Sequence, residues 1–193
     1  SKIKKVREVK KEKDAKSGAD VVEKIEEYFI YNEKGIANAG SGTTTGFGVT
    51  NKPAFYGDLN GSQTISRGAY VKVAGMTDHE VDTNTAFDGT TFTVPSGEGG
   101  TYFLYGSIRA DYETAGDDAK QARCYLYKNG SEFIQSQWQI TGTYTGRYVS
   151  LNVVTLTALS AGNTIELYTL LEDNSGANAR LLTGTSIGGY KLF

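Results

Sequence analysis

From residue 53 onward the chain is a succession of short strand-like runs, each closed by a turn signal. Clusters of Gly, Asn, Asp and Ser separate runs rich in Thr, Val, Tyr and Phe, as in "KNGS", "LSAGNT" and "DNSGAN". No helical segment alternates with the runs, so the pattern predicts antiparallel rather than parallel sheets. We therefore predict an all-β body, a sandwich or jelly roll, over residues 53–193. Its predicted strands are 54–59, 69–75, 80–83, 91–94, 101–112, 122–128, 131–140, 147–159, 164–171 and 185–193.

The most informative stretch is "FTVPSGEGGTYFLYGSI", residues 92–108, in which a sheet is interrupted and then resumes. Pro95 lacks an N–H group and therefore ends a short strand, and the three glycines of 97–100 allow the backbone to turn towards a second sheet. The strand that follows carries large side chains on both faces, because side chains alternate along a strand. One face fills the core, and the other needs a partner that covers it. The residues predicted for the core are Phe92, Val94, Phe103, Leu126, Leu156, Ile165 and Leu167.

The same region carries a family resemblance. The stretch "FDGTTFTVPSGEGGTYFLYGSI" resembles the signature of C1q-like domains, the globular modules related to tumour necrosis factor. Further pieces follow in the family's order, namely "PAFYG" upstream and "CYLYKNG", "LTALSAGNTIELYT" and "TSIGGYKLF" downstream. Ile187 stands where the family usually has Phe, and Asn163 where it usually has Asp. The residues that match the signature are Phe87, Phe92, Val94, Pro95, Gly100, Tyr102 and Phe103.

The resemblance covers residues 53–193 and implies a C1q/TNF-like jelly roll that assembles as a homotrimer about a threefold axis. The collagen-like stalk of the family is missing, since the sequence has no Gly-X-Y repeat and only two prolines. The strands around 102–108, 147–156 and 186–192 are expected to make the threefold contact. The trimer-interface candidates are Tyr102, Tyr105, Tyr148, Tyr190 and Leu192.

Residues 1–52 differ in composition from the body. Residues 1–16 contain eight basic and three acidic residues, a net charge of +5, so the rest of the chain carries −7. Residues 20–31, "DVVEKIEEYFIY", predict a short amphipathic helix with Asp20 as its N-cap. Residues 35–52 are rich in Gly and Thr, which is typical of a flexible linker. We therefore divide the chain into a basic arm with a short helix (1–34), a linker (35–52) and the body (53–193).

The arm and helix are predicted to anchor the protein to an acidic partner, because a basic arm on an acidic body favours such a contact. The alternative interpretation is a solvated charged tail with no partner. The arm has no interleaved aromatic residues, so nucleic acid is a weaker interpretation. The predicted anchor residues are Lys4, Lys5, Arg7, Lys10 and Lys11 in the arm and Val21, Val22, Ile25, Tyr28 and Phe29 in the helix.

The residues offer little for catalysis. His79 is the single histidine and Cys124 the single cysteine, and a dyad of the two is the one nucleophilic arrangement left open. We interpret Cys124 as a small core residue and Trp138 as packing rather than a sugar platform. Carboxylates at 78–82, 117–118 and 172–173 could chelate Ca²⁺, although loops of this composition are common without metal. We predict no enzyme, no cofactor and no metal.

These features favour a structural virion protein, a trimeric capsid decoration (cement) protein held on a bacteriophage head by its N-terminal arm. Its expected partners are two further copies and the major capsid protein or another virion protein, which residues 1–31 would bind. The charged start has no apolar centre of a secretory signal, so assembly in the host cytoplasm is expected, and no run is long enough for a membrane span. The alternative is a receptor- or glycan-binding module at the tip of a phage fibre or baseplate.

Overall fold

The computed structural model describes residues 53–112, 119–141 and 146–193, without the side chains of residues 78–80. The described residues belong to one compact unit, Asn51–Phe193. The arm and helix predicted over 1–34 and the linker predicted over 35–52 lie outside the described residues. The anchor residues named above therefore stay predictions.

Within the described residues the chain forms twelve strands and no helix, which confirms the all-β prediction for the body. Ten of these strands coincide with predicted runs, while the short β2 and β11 were not predicted. In chain order the strands are β1 (Ala54–Asp58), β2 (Gln63–Ile65), β3 (Val71–Lys72), β4 (Asp78–Asp82), β5 (Thr91–Thr93), β6 (Gly100–Asp111), β7 (Ala119–Lys128), β8 (Ser131–Gln139), β9 (Tyr148–Leu159), β10 (Thr164–Asp173), β11 (Ala179–Leu181) and β12 (Ser186–Lys191).

The strands form two antiparallel sheets of seven and five strands. In the first sheet, β6 pairs with β9 over its whole length, and β12 and β11 follow one another along its other edge. Beyond them lie β1 and β4 on one side and β2 on the other. In the second sheet, β10 pairs with β7 on one edge and with β5 and β3 on the other, and β8 completes the sheet beside β7.

The core lies between the two sheets and follows the alternation of side chains. Along β6 the even-numbered residues 102–110 are buried, whereas most odd-numbered positions are half-buried or exposed. Aromatic stacking links the sheets, because the rings of Phe55 in β1 and Phe92 in β5 lie 4.1 Å apart with nearly parallel planes. Phe92 also lies 6.0 Å from the ring of Tyr102. The core is therefore a single contiguous layer that both sheets share.

The predicted core is confirmed at Phe92, Val94, Leu126, Ile165 and Leu167, which are all buried. It is wrong at Phe103 and Leu156, which pair with each other across β6 and β9 on the outer face of the first sheet. The sequence of β6 has apolar residues at both odd and even positions, so it does not reveal which of the two sets faces the core.

The interruption before β6 has the predicted cause. β5 ends at Thr93, and the N–H of Glu98 donates to the carbonyl of Pro95 at 3.1 Å to close the turn. Gly97 then takes a positive φ of 79°. The backbone carbonyl of Phe193 lies so close to Gly100 that no Cβ would fit there. The glycines of this loop thus serve both the turn and the close approach of the last residue.

The Asn-Gly hairpin that "KNGS" predicts is also present. Asn129 and Gly130 have φ values of 53° and 74° and join β7 to β8. Two consecutive residues with positive φ are the requirement of a type I′ turn, for which Asn-Gly is the preferred pair. The turn sets the pairing next to it, Lys128 with Ser131 and Tyr127 with Glu132, and a bulge then shifts the register by one residue for the rest of β7 and β8.

We predict that Gly189→Ala destabilises the body. A Cβ at Gly189 would lie 2.6 Å from the carbonyl oxygen of Phe103 and 2.7 Å from the Leu104 side chain, and the backbone oxygen has little room to move. We expect a loss of about 1–3 kcal/mol in the free energy of unfolding, measured by urea denaturation. Gly99→Ala is the matched control, because its nearest neighbour, at 3.4 Å, is in ordinary contact. Equal stability of the two variants would contradict the prediction.

Candidate interaction surface

Large apolar side chains lie on the outer face of the first sheet, opposite the core. On β6 and β9 the register places Phe103 beside Leu156 and Tyr105 beside Val154. Val154 and Leu156 are 55% and 63% exposed, which is high for apolar residues in the middle of a long strand. These four side chains form a continuous apolar strip across the two strands.

The strip continues across β12 and β1 through two further tyrosines. The ring of Tyr190 lies 5.3 Å from that of Phe103, and the ring of Tyr56 lies 6.5 Å from that of Tyr105. Gly188 on β12 lies between Tyr56 on β1 and Tyr105 on β6. A Cβ at Gly188 would meet the Tyr105 ring at 2.6 Å. The Tyr105 ring therefore lies across the backbone of β12. We call Tyr56, Phe103, Tyr105, Val154, Leu156 and Tyr190 the apolar face.

The apolar face carries no charge at neutral pH. Burial and the neighbouring Tyr56 raise the pKa of Tyr105 to about 12, although a hydrogen bond with Ser186 acts in the opposite direction. The phenol of Tyr105 is therefore protonated over the whole physiological range. A neutral aromatic and aliphatic surface of this kind is suited to contact with another apolar surface.

A charged cluster bounds the apolar face at the far end of β6. Asp111 is 1% exposed, and its two carboxylate oxygens accept hydrogen bonds from Arg147 Nε at 2.9 Å and Arg180 Nη2 at 2.7 Å. The guanidinium of Arg147 also lies 4.8 Å above the exposed ring of Tyr148. Between this cluster and the apolar face the register pairs Ser107 with Asn152. The outer face of the sheet thus changes from apolar to polar to charged along β6.

The structure distributes the five trimer-interface candidates over different environments. Tyr105 and Tyr190 belong to the apolar face, and Tyr148 is exposed at the charged end. Leu192 is half-buried just after β12, where its N–H donates to Thr101 at 2.7 Å. Tyr102 points into the core, is fully buried and donates its hydroxyl to the carbonyl of Glu98 at 2.6 Å, so it is not available to a second subunit.

Sequence reasoning missed four members of the apolar face. Phe103 and Leu156 were assigned to the core, and Tyr56 and Val154 were not singled out. Gly106, which follows the four large residues 102–105, lies on the even-numbered face of β6. A Cβ at Gly106 would lie 2.7 Å from the Leu167 side chain of the opposite sheet, which identifies the even-numbered face as internal.

The thiol of Cys124 is not a nucleophile at neutral pH. Cys124 lies in β7 of the second sheet and is fully buried, and burial raises the pKa of its thiol to about 12. A protonated, solvent-free thiol is inert, since the thiolate is the reactive form. His79 lies in β4 at an edge of the first sheet, and its side chain is outside the described residues. The buried, apolar surroundings of Cys124 therefore favour its interpretation as a small core residue.

Of the carboxylates considered for Ca²⁺, Asp82 and Asp173 accept hydrogen bonds within turns, whereas Glu172 forms ion pairs with Lys120 and Arg67. Asp82 accepts from the N–H groups of Ala86 at 2.8 Å and Phe87 at 3.3 Å. Asp173 Oδ1 accepts from Ser175 Oγ at 2.7 Å and Gly176 N at 2.6 Å. Among the described residues no group of three His, Cys, Asp or Glu side chains could hold a metal ion. Residues 117–118 lie outside that description.

Trp138 is half-buried on β8 and packs against the core, in line with its interpretation as a packing residue. Over the described ranges, no helix has the length and apolar character that crossing a membrane requires.

Comparison with solved structures supports the fold. The globular domain of zebrafish complement 1qA protein matches with a TM-score of 0.48 and 15% identity over 74% of this chain and 98% of that one. A TNF structure, Eiger from S. frugiperda, matches with a TM-score of 0.51 and 16% identity over 72% and 92% of the two chains. No protein-family model and no curated protein matches the sequence. The likeness to Eiger shows the predicted C1q/TNF-like jelly-roll fold, and at this identity it shows the fold alone.

We predict that the Asp173 carboxylate stabilises the folded body at neutral pH and that this stabilisation is lost in acid. Burial alone would raise the pKa of this carboxyl group, but hydrogen bonds from Ser175, Ala177 and Gly176 lower it below its ordinary value. The folded state therefore binds fewer protons than the unfolded state. The stabilisation is fully present above about pH 4 and is lost as the pH falls through the lowered pKa.

Urea-denaturation midpoints measured between pH 7 and pH 2.5 test this contribution. Asp173→Asn should be less stable than the parent at pH 7 and should lose part of the acid dependence. Ser175→Ala, which removes one donor to the carboxylate, should show an intermediate effect. A parent-like pH profile in Asp173→Asn would show that other groups cause the acid lability.

Proposed function

We propose that this chain forms a homotrimer whose subunits meet through the apolar face. The observation that carries the proposal is the continuous apolar surface on β6, β9, β12 and β1, with Val154 and Leu156 more than half exposed in the single chain. Full burial of an exposed large apolar side chain contributes about 1.5–3 kcal/mol, which applies in large part to Val154 and Leu156, while the four half-buried residues of the apolar face contribute less each. A closed symmetric assembly covers the face completely and leaves no copy open to further addition.

The choice of three subunits rests on the resemblance of residues 53–193 to C1q-like domains, which implies a threefold axis. The charged cluster around Asp111 supports a defined docking position, because it limits the apolar contact to one end of β6. Charges that meet a mismatched surface lose their water without gaining a partner, which disfavours alternative arrangements.

We further infer that the trimer is a structural component of a bacteriophage virion, a capsid decoration protein anchored through residues 1–31. The support comes from the sequence: a net charge of +5 in residues 1–16, an amphipathic pattern over 20–31, and a linker before the body. On this proposal the arm contacts the major capsid protein or another virion protein, and the body lies on the capsid surface. The second candidate, a binding module at a fibre or baseplate tip, is favoured by the chemistry of the other sheet, described below.

We predict that Leu156→Asp separates the subunits. A carboxylate on an exposed strand position is harmless in a free subunit, but burying it against an apolar surface is costly. Analytical ultracentrifugation at micromolar concentration should give three times the 20.8 kDa subunit mass for the parent and one subunit mass for the variant. Ser131→Asp, at an exposed position on β8 of the second sheet, is the control and should stay trimeric. A parent chain that sediments as a monomer would refute the trimer.

We predict that deletion of residues 1–31 leaves a folded body that no longer joins its particle. The described strands are complete without this segment, since the first of them starts at Ala54. Exposed ion pairs contribute only about 0–1 kcal/mol each, so the apolar residues of the predicted helix should supply most of the attachment.

The measurement is co-sedimentation of purified protein with particles that lack it. The full chain should bind, and the truncated chain should stay in solution with an unchanged oligomeric state. A combined substitution of Ile25 and Phe29 by Ser should reproduce the defect without a deletion. Equal decoration by the full and truncated chains would show that the body makes the attachment.

A further inference from the structure

The outer face of the second sheet carries a cluster of four tyrosines that the trimer contact does not use. The rings of Tyr127 and Tyr168 stack at 4.0 Å, Tyr125 meets Tyr127 edge-on at 6.0 Å, and Tyr70 lies 5.6 Å from Tyr125. Tyr125 is fully buried at the centre, whereas Tyr70 is 53% exposed and the other two are half-buried. We call these four residues the tyrosine face. The ring contacts connect them in a row, from Tyr70 through Tyr125 and Tyr127 to Tyr168.

A row of amides borders the tyrosine face. On β8 the side chains of Gln135, Gln137 and Gln139 are exposed, and the register places Gln135 beside Tyr125. Gln137 donates to Gln139 at 2.9 Å, which orients one amide along the strand. Each amide offers both donors and an acceptor. A ligand that lies on the tyrosine rings therefore meets donors and acceptors along one side.

An arginine between the amides and the rings is held in place by its neighbours. Arg123 Nη1 donates to the Tyr125 hydroxyl at 3.2 Å. With the Gln121 amide turned so that its oxygen faces the guanidinium, that oxygen accepts from Nε and Nη2 of Arg123 at 2.7 Å each, and its nitrogen donates to Glu172 at 3.3 Å. The guanidinium is thus fixed before any ligand arrives, which lowers the entropy cost of binding.

The charges of this face do not favour a polyanion. Lys72 forms an ion pair with Glu166 at 2.6 Å, and Lys120 forms one with Glu172 at 2.9 Å. These two lysines are neutralised within the same sheet face, and Arg123, whose partners Tyr125 and Gln121 are neutral, is a single cation there. Nucleic acid binding needs several cations that face the phosphates. The aromatic residues are all tyrosines, whose hydroxyl groups keep the surface polar. The ligand class that fits is therefore neutral, rich in hydroxyl groups, and able to lay an apolar flank on a ring.

We propose that the tyrosine face and the adjoining glutamine row bind a neutral oligosaccharide. The C–H flank of a pyranose packs on the accessible rings of Tyr70 and Tyr168, while its hydroxyl groups exchange hydrogen bonds with Gln135 and Gln137. Sites for small ligands combine aromatic surfaces with a few fixed polar groups in this way. The inference does not depend on the trimer, because each subunit carries the whole face. It applies equally to a decoration protein and to a fibre-tip module.

The apolar face and the tyrosine face lie on opposite sides of the sandwich, since they are the outer faces of its two sheets. An assembly closed through the apolar face therefore leaves one tyrosine face per subunit accessible. Several weak sites on one particle bind a surface of repeated sugars far more tightly than one site does, through effective concentration. A shallow site of this kind is suited to a polysaccharide.

The test uses the full chain on an array of immobilised neutral hexasaccharides built from glucose, galactose or N-acetylglucosamine, followed by calorimetry with the best soluble probe. Gln137→Ala should weaken calorimetric binding about fivefold, the usual effect of one lost hydrogen bond. Tyr168→Ala should weaken it at least as much, and Tyr168→Phe, which keeps the ring, should stay within about twofold. Asn60→Ala removes an exposed amide in the turn after β1 and is the matched control.

Circular dichroism establishes whether each variant is folded. If Tyr168→Ala does not fold, Gln137→Ala alone still tests the sugar site. Binding to no probe on the array would overturn the proposal. A protein would then be the remaining candidate ligand of the tyrosine face. Binding that Gln137→Ala and Tyr168→Ala leave unchanged would overturn it too. Leu156→Asp should lose array signal through lost multivalency but keep its affinity per subunit in calorimetry. A failure of the trimer is thus distinguishable from a failure of the sugar site.

Discussion

The structure depends on the position of β6 at the centre of the first sheet, where it pairs with three other strands. Gly106 lets this strand approach the second sheet, since a side chain there would collide with Leu167 and come close to Leu126. Once that approach sets the inner face, alternation sends Phe103 and Tyr105 outward along the same strand. The packing of the core and the presence of an apolar outer face thus have one geometric origin.

The two outer faces of the sandwich differ in chemistry although both are aromatic. The face on the first sheet combines Phe103, Val154 and Leu156 with tyrosines and has no charge, so its exposure to water is unfavourable. The face on the second sheet consists of tyrosines and amides, with Lys72 and Lys120 in ion pairs and Arg123 held by Tyr125 and Gln121. The first composition is typical of a surface covered by protein, and the second of a surface that stays in water and recognises polar ligands.

The fold was largely predictable from the sequence, and the interaction surfaces were only partly so. Turn signals are local, so Asn129–Gly130 and Pro95 identified their turns without any knowledge of the rest of the chain. The face that each residue takes is not local: Phe103 and Leu156 were misassigned because long strands with two apolar faces read alike in either parity. β2 and β11 were missed because each has only three residues and is held by pairing with a segment more than a hundred positions away. The tyrosine face was missed for a similar reason, since it brings together Tyr70, Tyr125, Tyr127 and Tyr168 from three separate segments.

The glycines of β12 show how strongly the apolar face is built into the fold. Gly189 faces inward, where the carbonyl of Phe103 and the Leu104 side chain leave no space for a Cβ, and Gly188 faces outward beneath the Tyr105 ring. Glycine is destabilising inside a strand because its backbone loses more conformational entropy on folding and because it has no side chain to pack. An inner glycine is explained by the core alone. The outer glycine, Gly188, is explained by the Tyr105 ring that covers it, since a Cβ there would lie 2.6 Å from that ring. Its effect is to flatten the ring against the sheet, which lowers the surface and lets a second flat surface approach Phe103, Val154 and Leu156 without a protruding side chain between them.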